Sequence, residues 1–350
     1  MQVTDRLFAP EKDLLNTKGH MKRIIPLLIV AMTAVLLCCS GNEKSKNADA
    51  AQDSTILRLG VLPTADCLPF YMADQCGIFD SLGLDIQLVT FNAAADCDTA
   101  LAGGSIDGAV SDIVKAVVMR SKGDSVKVVM STELHLHLLS AKNARIKRAN
   151  SIKEKIFAIT RNSALDLTTD RILESVKLGS EELNKPQIND IKLRARMLDQ
   201  NQYDGALLPE PYASACVAKG AVRLARTESS EADLSAIIFR EDAIRNKSEQ
   251  IKTLAKAYDC AIELIAGMTA EKTETDKKKA ISHTNTISLM SYIPTGITLN
   301  DSVNIAVPRK KASFLKESAF QEAVRWAEGR SLLEKEVKYA DIADTMFVNK

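Results

Sequence analysis

The sequence has almost no net charge and few aromatic residues. Lys and Arg together number 46, Asp and Glu number 45, and aromatic residues make up 5% of the chain. A nucleic-acid-binding surface needs clustered Lys and Arg, commonly interleaved with aromatic residues, and the sequence contains no such run. We therefore expect no nucleic-acid partner.

Motifs of several common enzyme classes are also missing. The sequence contains no Gly-x-Ser-x-Gly elbow, no Walker phosphate loop and no dinucleotide-binding fingerprint. Beyond residue 40, no apolar run is long enough to span a membrane. What is present is a chain of 350 residues with 46% hydrophobic content, which favours about two domains.

The N-terminal segment predicts export. From Met21 the chain reads MKRIIPLLIVAMTAVLLCCSGN, a basic start and a short apolar run that ends at two cysteines. These are the regions of a secretory signal peptide, and the run is too short for an ordinary membrane-spanning helix. It resembles a bacterial lipoprotein signal, which implies lipidation of Cys39, with Cys38 as the alternative site. A buried apolar helix is the competing interpretation.

Three N-terminal ranges follow from this prediction. Residues 1–20 do not fit the start of a signal peptide and are predicted to be untranslated or disordered. Residues 21–39 form the signal, and residues 40–54 form a flexible tether because they are small, polar and unpatterned.

Strand and helix patterns alternate through the rest of the chain. ILRLGVL, DIQLVTF and DGAVSD predict strands separated by helices, and KIFAIT, INDIKLR and YDGALLPEP predict strands of a second series. Helices are also predicted for SEQIKTLAKAYDCAIELIAG and KKASFLKESAFQEAVRWAEG. Such alternation is typical of largely parallel sheets with flanking helices, which bind ligands beyond the carboxyl ends of their strands.

One short pattern occurs twice. SIDGAVSD and QYDGALLPEP both place a polar turn and Asp-Gly-Ala before an apolar run. The repetition predicts two similar lobes whose loops face each other across a cleft. Asp107 and Asp204, at the turns before these strands, are predicted to be structural.

These segments, in this order, resemble the solute-binding proteins of bacterial ABC importers with the type II periplasmic fold. LRLGVLP, ALAGGSIDGAVSD, KIFAITRNSALDLTTDRIL and YDGALLPEPYAS carry the resemblance, which spans about residues 55–300. The most similar branch serves sulfonates, taurine, nitrate and thiamine-pyrimidine precursors. A Cys-rich pentapeptide of eukaryotic pyrimidine-synthase relatives is absent, whereas Cys67, Cys76 and Cys97 depart from the family pattern.

The resemblance implies a two-lobed α/β fold of the periplasmic-binding type, with a mostly parallel sheet in each lobe. Residues 55–135 and 241–350 are assigned to lobe 1 and residues 136–240 to lobe 2. Two crossover strands, near residues 130–140 and 235–241, are predicted to join the lobes and act as the hinge.

Candidate ligand-binding residues come chiefly from loops that open helices at the predicted cleft. Free N–H groups and a partial positive charge at helix N-termini suit anions or polar ring edges. These candidates are Thr64, Ala65, Asp66, Ala93, Ala94, Asn162, Ser163 and Ala164. For Asn162 and Ser163, a plain helix cap without ligand contact is the alternative.

Carboxylates and tyrosines complete the candidate set. Asp112 and Glu210 stand at strand ends, and with Asp66 they favour a ligand that has N–H donors or positive charge. Glu210 could instead brace the hinge or lie in a solvated loop. Tyr212 and Tyr292 could form an apolar wall of the cleft.

Two further patterns leave alternatives open. Glu133, His135 and His137 alternate in ELHLHLL, which on a strand places them on one face as a metal site, a ligand contact or a structural part of the crossover. Disulfide geometry excludes Cys67 with Cys76, which bracket a predicted helix. It permits Cys67 with Cys97, and free buried thiols are the alternative.

The sequence thus predicts a monomeric, lipid-anchored, exported solute-binding protein that acts with an ABC permease and its ATPase. The expected ligand is a small polar solute of the sulfonate, nitrate or thiamine-pyrimidine-precursor class. We expect no enzyme activity, cofactor or metal. The alternatives are a bilobal enzyme of pyrimidine or menaquinone-precursor metabolism and a sensor-type binding protein.

Overall fold

The computed structural model describes residues 55–227, 234–269, 288–297 and 305–348. The predictions for residues 1–20, for the signal at residues 21–39 with Cys39, and for the tether at residues 40–54 lie outside the described residues. In the described part of the chain, no helix combines the length and apolarity that crossing a membrane requires.

The strands of the described residues form two sheets. In chain order they are β1 Leu57–Val61, β2 Ile86–Thr90, β3 Gly108–Asp112, β4 Val126–Thr132, β5 Leu136–Ser140, β6 Phe157–Ala158, β7 Gly205–Pro209, β8 Val222–Arg226 and β9 Ser235–Arg240. The first sheet has the order β2-β1-β3-β9-β4 and the second has the order β6-β7-β5-β8. The predicted two-lobed α/β fold is therefore present.

Helices cover both sheets. They are α1 Leu68–Gln75, α2 Ile78–Ser81, α3 Ala94–Ala102, α4 Ile113–Lys122, α5 Ala164–Ser175, α6 Ile191–Asp199, α7 Tyr212–Ala218, α8 Glu241–Asn246, α9 Ser248–Thr269, α10 Glu317–Gly329 and α11 Tyr339–Ile342. The long helix α9 packs on α1, where the rings of Phe70 and Tyr258 lie 5.3 Å apart. β1 is buried on both faces, which explains its near-continuous apolar sequence.

Each sheet is mostly parallel, as predicted, and contains one strand of opposite direction. β1 is parallel to β2 and β3, and β6 is parallel to β7. In contrast, β9 is antiparallel to β3 and β4, and β5 is antiparallel to β7 and β8. The reason is topological: β5 and β9 follow the crossings between lobes, so each starts at the edge where the neighbouring strands end.

The crossings correct the predicted boundary between the lobes. The outward crossing, at residues 133–135, joins β4 of the first sheet to β5 of the second. β9 is hydrogen-bonded within the first sheet, so the chain has returned to the first lobe by Ser235, although the sequence placed this strand in lobe 2.

Two predicted elements differ in the structure. INDIKLR was predicted as a strand, but α6 begins at Ile191. The carboxylate of Asp190 caps that helix by accepting a hydrogen bond from Leu193 N at 2.7 Å. The predicted C-terminal helix starts only at Glu317, because the segment before it is held extended by a backbone bridge between Ser131 and Ser313.

The repeated Asp-Gly-Ala has the same structural role in both lobes. Asp107 Oδ2 accepts a hydrogen bond from Arg58 N at 2.7 Å, and Asp204 Oδ2 accepts one from Ile156 N at 2.9 Å. Each carboxylate therefore fastens its turn to the start of the neighbouring strand, which confirms the structural role predicted for both residues.

Candidate ligand-binding cleft

A cavity of about 50 Å³ lies where strand ends from both sheets meet. β1, β3 and β7 end at this edge, and the loop that follows β6 contributes Thr160 and Ser163 to it. The cavity has room for a few water molecules or a compact solute. Its polar lining consists of Thr64, Asp66, Ser111, Asp112, Thr160, Ser163, Asn189 and Arg194.

Backbone hydrogen bonds join the two walls of the cleft. Ala65 N of the first lobe donates to Glu210 O of the second at 2.8 Å, and Ile191 N of the second lobe donates to Asn92 O of the first at 3.2 Å. Ala93 also forms an antiparallel bridge with Asp190. The lobes are therefore in contact around the cavity, which is a closed arrangement.

Arg194 is the one fully buried cation of the lining. Its side chain is 0% exposed, and its Nη1 donates to Thr160 Oγ1 at 2.7 Å and to Ile188 O at 2.5 Å. Its Nε and Nη2 have no hydrogen-bond partner among the described residues. These two nitrogens form one edge of the guanidinium, so a complete two-donor fork remains open.

Burial does not remove the charge of Arg194. It lowers the pKa of the guanidinium to about 10, against opposing contributions from Tyr203 and Asp190, so the group stays protonated at neutral pH. Arg194 lies on the buried face of α6 with Ile191, Ala195 and Leu198. An arginine in such an apolar stripe is a detectable signal, but it is hidden when the segment is divided between a predicted strand and a predicted helix.

Two buried carboxyl groups line the opposite wall. Asp66 is 8% exposed, and its Oδ1 has no hydrogen-bond partner among the described residues. Burial raises the pKa of Asp66, while a hydrogen bond with Thr64 partly opposes this shift. Asp112 caps α4 by accepting from Lys115 N at 2.9 Å, and burial raises its pKa to about 6.

Five of the twelve predicted ligand-binding residues line the cavity: Thr64, Asp66, Ala94, Asp112 and Ser163. The hydroxyl of Ser163 accepts from Leu165 N at 3.2 Å and donates to Thr160 O at 2.7 Å. Ser163 thus acts as a helix cap and also lines the cavity, and its contact with a ligand stays a prediction.

Four predicted residues are not among the cavity-lining residues but form backbone contacts. Ala65 and Ala93 form the hydrogen bonds between lobes described above. Ala164 N interacts with the carboxylate of Asp112 across the cleft. Asn162 is exposed in a left-handed conformation with φ of 54°, and its N–H donates to Asp166 Oδ2 at 3.1 Å.

Glu210 braces the second lobe, and its carboxylate does not reach the cavity. Its oxygens accept from Ser214 N at 3.0 Å and Ser214 Oγ at 2.7 Å, and Oε1 lies 3.0 Å from His137 Nε2. Burial raises the pKa of Glu210, but His137 and the Ser214 hydrogen bonds outweigh it and hold that pKa below its ordinary value. These contacts lie within the second lobe, so a role of Glu210 in bracing the hinge stays a prediction.

The two predicted tyrosines are not among the cavity-lining residues. Tyr212 is the first residue of α7 and is 1% exposed. Tyr292 contacts the far end of α1, where its carbonyl accepts from Gln75 Nε2 at 2.8 Å and its hydroxyl lies 3.8 Å from Cys76 Sγ.

The Glu-x-His-x-His pattern is dispersed at the outward crossing. Glu133 and His135 precede β5, so the face shared on a regular strand does not form. Glu133 Oε2 instead accepts from Arg309 N at 2.6 Å and Lys310 N at 3.0 Å. Within the described ranges, no group of three or more His, Cys, Asp or Glu side chains is placed to hold a metal ion.

The cysteines of the described residues are free thiols, so the permitted Cys67–Cys97 disulfide is not present. Cys67, Cys97 and Cys216 are buried, whereas Cys76 and Cys260 are exposed.

A larger open depression of about 680 Å³ lies between α5 and α10. Lys185 Nζ lies 2.7 Å from carboxylate oxygens of both Asp166 and Asp170. Trp326 Nε1 donates to Asp170 Oδ2 at 2.7 Å, and Arg330 pairs with the same oxygen. These charges compensate one another, so we regard the smaller cavity, with the two unpartnered nitrogens of Arg194, as the candidate site.

Comparison with known sequences identifies a family. The model of the NMT1-like family matches residues 50–280. A curated relative, the nitrate import ATP-binding protein NrtC of Synechococcus elongatus, is 32% identical over 72 residues, which are 21% of this chain and 11% of that protein. The chain thus spans about a tenth of the length of this relative.

Solved structures share the fold. The alkanesulfonate-binding protein SsuA from Xanthomonas axonopodis pv. citri, bound to MOPS, has a TM-score of 0.66 and 16% identity over 82% of this chain and 96% of its own. The periplasmic nitrate-binding protein NrtA from Synechocystis PCC 6803 has a TM-score of 0.65 and 13% identity over 82% and 84%.

A third structure is the ligand-binding component of an ABC-type import system from Staphylococcus aureus, with zinc bound. It has a TM-score of 0.64 and 17% identity over 84% of this chain and 97% of its own. At these identities, the likenesses show a common two-lobed fold.

Proposed function

The chain belongs to the NMT1-like family, and we propose that it is the solute-binding protein of an ABC importer that captures a small anion between its lobes. The observation that carries this proposal is the open edge of the buried Arg194 guanidinium. Buried donors of a cation that lack hydrogen-bond partners are costly in free energy, and an anionic ligand would reduce that cost.

The geometry of the open edge favours oxyanions. Nε–H and Nη2–H point in parallel, so they can donate to two oxygens of one sulfonate, nitrate or carboxylate group. Structural neighbours that bind an alkanesulfonate or nitrate support this class of ligand. Thr64, Asp66, Ala94, Asp112 and Ser163 would complete the lining around the solute.

Closure around the solute would be the signal for import. A ligand that touches both lobes stabilises the closed arrangement, and the crossings after Thr132 and after Arg226 would serve as the hinge. A permease and its ATPase would then recognise the closed protein. For the same role we infer export, a lipid anchor at Cys39 and a monomeric protein.

Binding measurements with an Arg194→Gln variant test the proposal. Isothermal titration of the full-length protein with nitrate, ethanesulfonate, propionate, taurine and β-alanine should find at least one saturable ligand. Arg194→Gln should weaken its binding by about 100-fold, because a charge-assisted two-donor contact is lost. Arg196→Gln, an exposed position on the same helix, should bind like the wild type.

Two results would contradict the proposal. One is equal affinity of the wild type and Arg194→Gln for a saturable ligand, with both proteins folded by circular dichroism. The other is the absence of binding to every anion and zwitterion tested.

A further inference from the structure

A second set of contacts joins the two lobes outside the cleft. Helix α10 belongs to the first lobe, because both ends of its segment pair with β4: Ser313 bridges Ser131, and Ala343 bridges Val128. Helix α5 belongs to the second lobe, where it follows β6 and packs on β5. The two helices are nevertheless in contact with each other. Polar contacts between them therefore link one lobe to the other.

The contact between α5 and α10 contains two charged links. Arg171 Nε donates to Glu322 Oε1 at 2.6 Å, and Arg171 Nη2 donates to Glu322 Oε2. Asp170 Oδ2 accepts from Trp326 Nε1 at 2.7 Å and pairs with Arg330, which directly follows α10. The guanidinium of Arg330 also lies 4.6 Å from the centre of the Trp326 ring. Two-point and charge-assisted bonds of this kind are stronger and more directional than ordinary surface contacts.

Partial burial strengthens these links. The side chains of Arg171 and Arg330 are 25% and 23% exposed, and that of Asp170 is 17% exposed. Burial raises the pKa of Asp170, but Lys185 and Trp326 outweigh it and hold that pKa below its ordinary value. The Asp170 carboxylate is therefore charged at neutral pH. An isolated exposed ion pair contributes little to stability, whereas a partly buried network is screened less by salt.

The same network reaches the loop that lines the cleft. Asp166 of α5 is fully buried, and its Oδ1 lies 2.7 Å from Lys185 Nζ. Its Oδ2 accepts from Asn162 N at 3.1 Å and lies 3.9 Å from Arg330 Nη1. Asn162 directly precedes Ser163, which lines the cavity. Movement of α10 away from α5 would thus withdraw Arg330 from a carboxylate that holds the cleft wall.

We propose that the contacts between α5 and α10 form an interlobe latch, which stabilises the closed arrangement before any ligand is bound. Its effect on affinity rests on the proposed function. A ligand that binds the closed form supplies less of the free energy of closure when the protein already populates that form. Because the latch is electrostatic, salt should weaken the latch and thereby lower the affinity.

Two backbone amides report closure without any ligand. Ala65 N donates to Glu210 O, and Ile191 N donates to Asn92 O, in both cases across the cleft. Ile191 is the first residue of α6, so its N–H has no acceptor within that helix. Protection of these two amides from hydrogen exchange therefore depends on contact between the lobes.

Hydrogen exchange of the ligand-free, full-length protein tests the latch. Arg171→Glu and Glu322→Arg each place like charges opposite one another, and each should speed exchange at both reporter amides about fivefold or more. The double variant restores opposite charges and should return both rates to within about twofold of the wild type. The amide of Phe157, which donates to Asn184 O within the second lobe, should keep its rate in all variants.

A matched control breaks an ion pair within one lobe. Lys219 Nζ lies 2.5 Å from Asp199 Oδ2, and both residues belong to the second lobe. Lys219→Gln should therefore leave exchange at the reporter amides unchanged. Glu322→Gln provides the same test of the latch if a charge-reversal variant does not fold.

Isothermal titration with nitrate and ethanesulfonate measures the effect on affinity. Glu322→Arg should weaken binding of the bound anion about fivefold, because a smaller fraction of the protein is closed. Between about 0.05 and 0.5 M NaCl, the wild type should lose more affinity than this variant, since only the wild type has an intact latch to screen.

The outcomes separate the latch from the proposed function. Unchanged exchange at the reporter amides in the folded single variants would overturn the latch and leave the anion-binding function standing. Exchange in the double variant as fast as in the single variants would also overturn the latch, because the ion pair would not be the cause. Faster exchange in the single variants, without binding of any anion by the wild type, would support the latch and overturn the proposed function.

Discussion

The two lobes build the same local unit and then diverge at the strand ends. In both, an Asp before the strand fastens the turn to the neighbouring strand, and a Gly admits an aromatic ring. The first lobe then places carboxyl groups in the cleft, whereas the second contributes a buried arginine. The two lobes thus share the turn and strand, and they differ in the polar residues that they place in the cleft.

The two turn aspartates also differ in their surroundings. Asp107 Oδ2 accepts a second hydrogen bond at 2.7 Å from Lys247, whose ammonium also donates to Ile56 O. Both side chains of this pair are 10% exposed. Asp204 is half-buried, and its carboxylate accepts a hydrogen bond from the backbone N–H of Ile156.

The largest expected difference between the lobes is therefore at these aspartates. Asp107→Asn should lower the free energy of unfolding by about 3–5 kcal/mol, because the Lys247 charge loses its buried counter-ion. Asp204→Asn should cost less than about 1 kcal/mol, because an amide oxygen can still accept from Ile156 N. Urea denaturation of both variants measures the difference, and equal losses would show that the two turns are energetically equivalent.

The two lobes also differ at the last residue of the repeated strand, which is Asp112 in β3 and Pro209 in β7. The folded protein holds the pKa of Asp112 at about 6 instead of 3.8, so it keeps the proton that the unfolded chain loses as pH rises between these values. The Asp112 contribution to stability therefore falls as pH rises through this window.

Asp112→Asn keeps a helix-capping side chain and removes the titration. Relative to the wild type, this variant should be equally stable near pH 3.5 and more stable above pH 6, by at most about 3 kcal/mol. Urea denaturation at several pH values measures this difference. A difference that does not change with pH would show that Asp112 is not held in its protonated form by the fold.

The smallest predicted difference separates the two glycines of the repeat. A Cβ on Gly108 would lie 2.4 Å from the ring of Phe239, and a Cβ on Gly205 would lie 2.1 Å from the ring of Phe157 and 2.5 Å from Leu139 O. A ring can shift more readily than a backbone oxygen in a sheet. Gly205→Ala should therefore cost about 1 kcal/mol more than Gly108→Ala, with both losses near 1–3 kcal/mol.

Thermal and urea denaturation of the two glycine variants provide the measurement. Gly267→Ala in α9 is the control, because a Cβ there has no neighbour within 4 Å. It should leave stability unchanged or raise it by up to about 1 kcal/mol. A smaller loss for Gly205→Ala than for Gly108→Ala would contradict the ranking.

Much of the fold was predictable from local patterns. Apolar runs bounded by turn residues located β1, β3 and β7, and the repeated Asp-Gly-Ala indicated the two lobes. The strand predicted at Ile188 to Arg194 was wrong, because alternation over a few residues also fits a helix whose cap lies within the segment. The opposite direction of β5 and β9 was not predictable locally, because it depends on where the chain crosses between lobes.

The candidate site was predictable only in part. Thr64, Asp66 and Ser163 follow strand ends or cap helices, and these positions can be inferred from neighbouring residues. Glu210 stands at such a strand end too, but its carboxylate is engaged by His137 and Ser214 within the second lobe. Position along the chain therefore identified which residues lie near the cleft, but not which side chains open into it.

The sequence by itself determined the two lobes, the edge at which their strands end and most residues of one wall, because these depend on contacts between near neighbours. Only the tertiary structure decided which buried polar atoms remain unpaired. Arg194 keeps an open edge because Thr160 and Ile188 engage only Nη1, and Asp66 Oδ1 faces the cavity without a partner among the described residues. Whether a polar atom is satisfied depends on residues brought together by folding, and that determines what the cleft can bind.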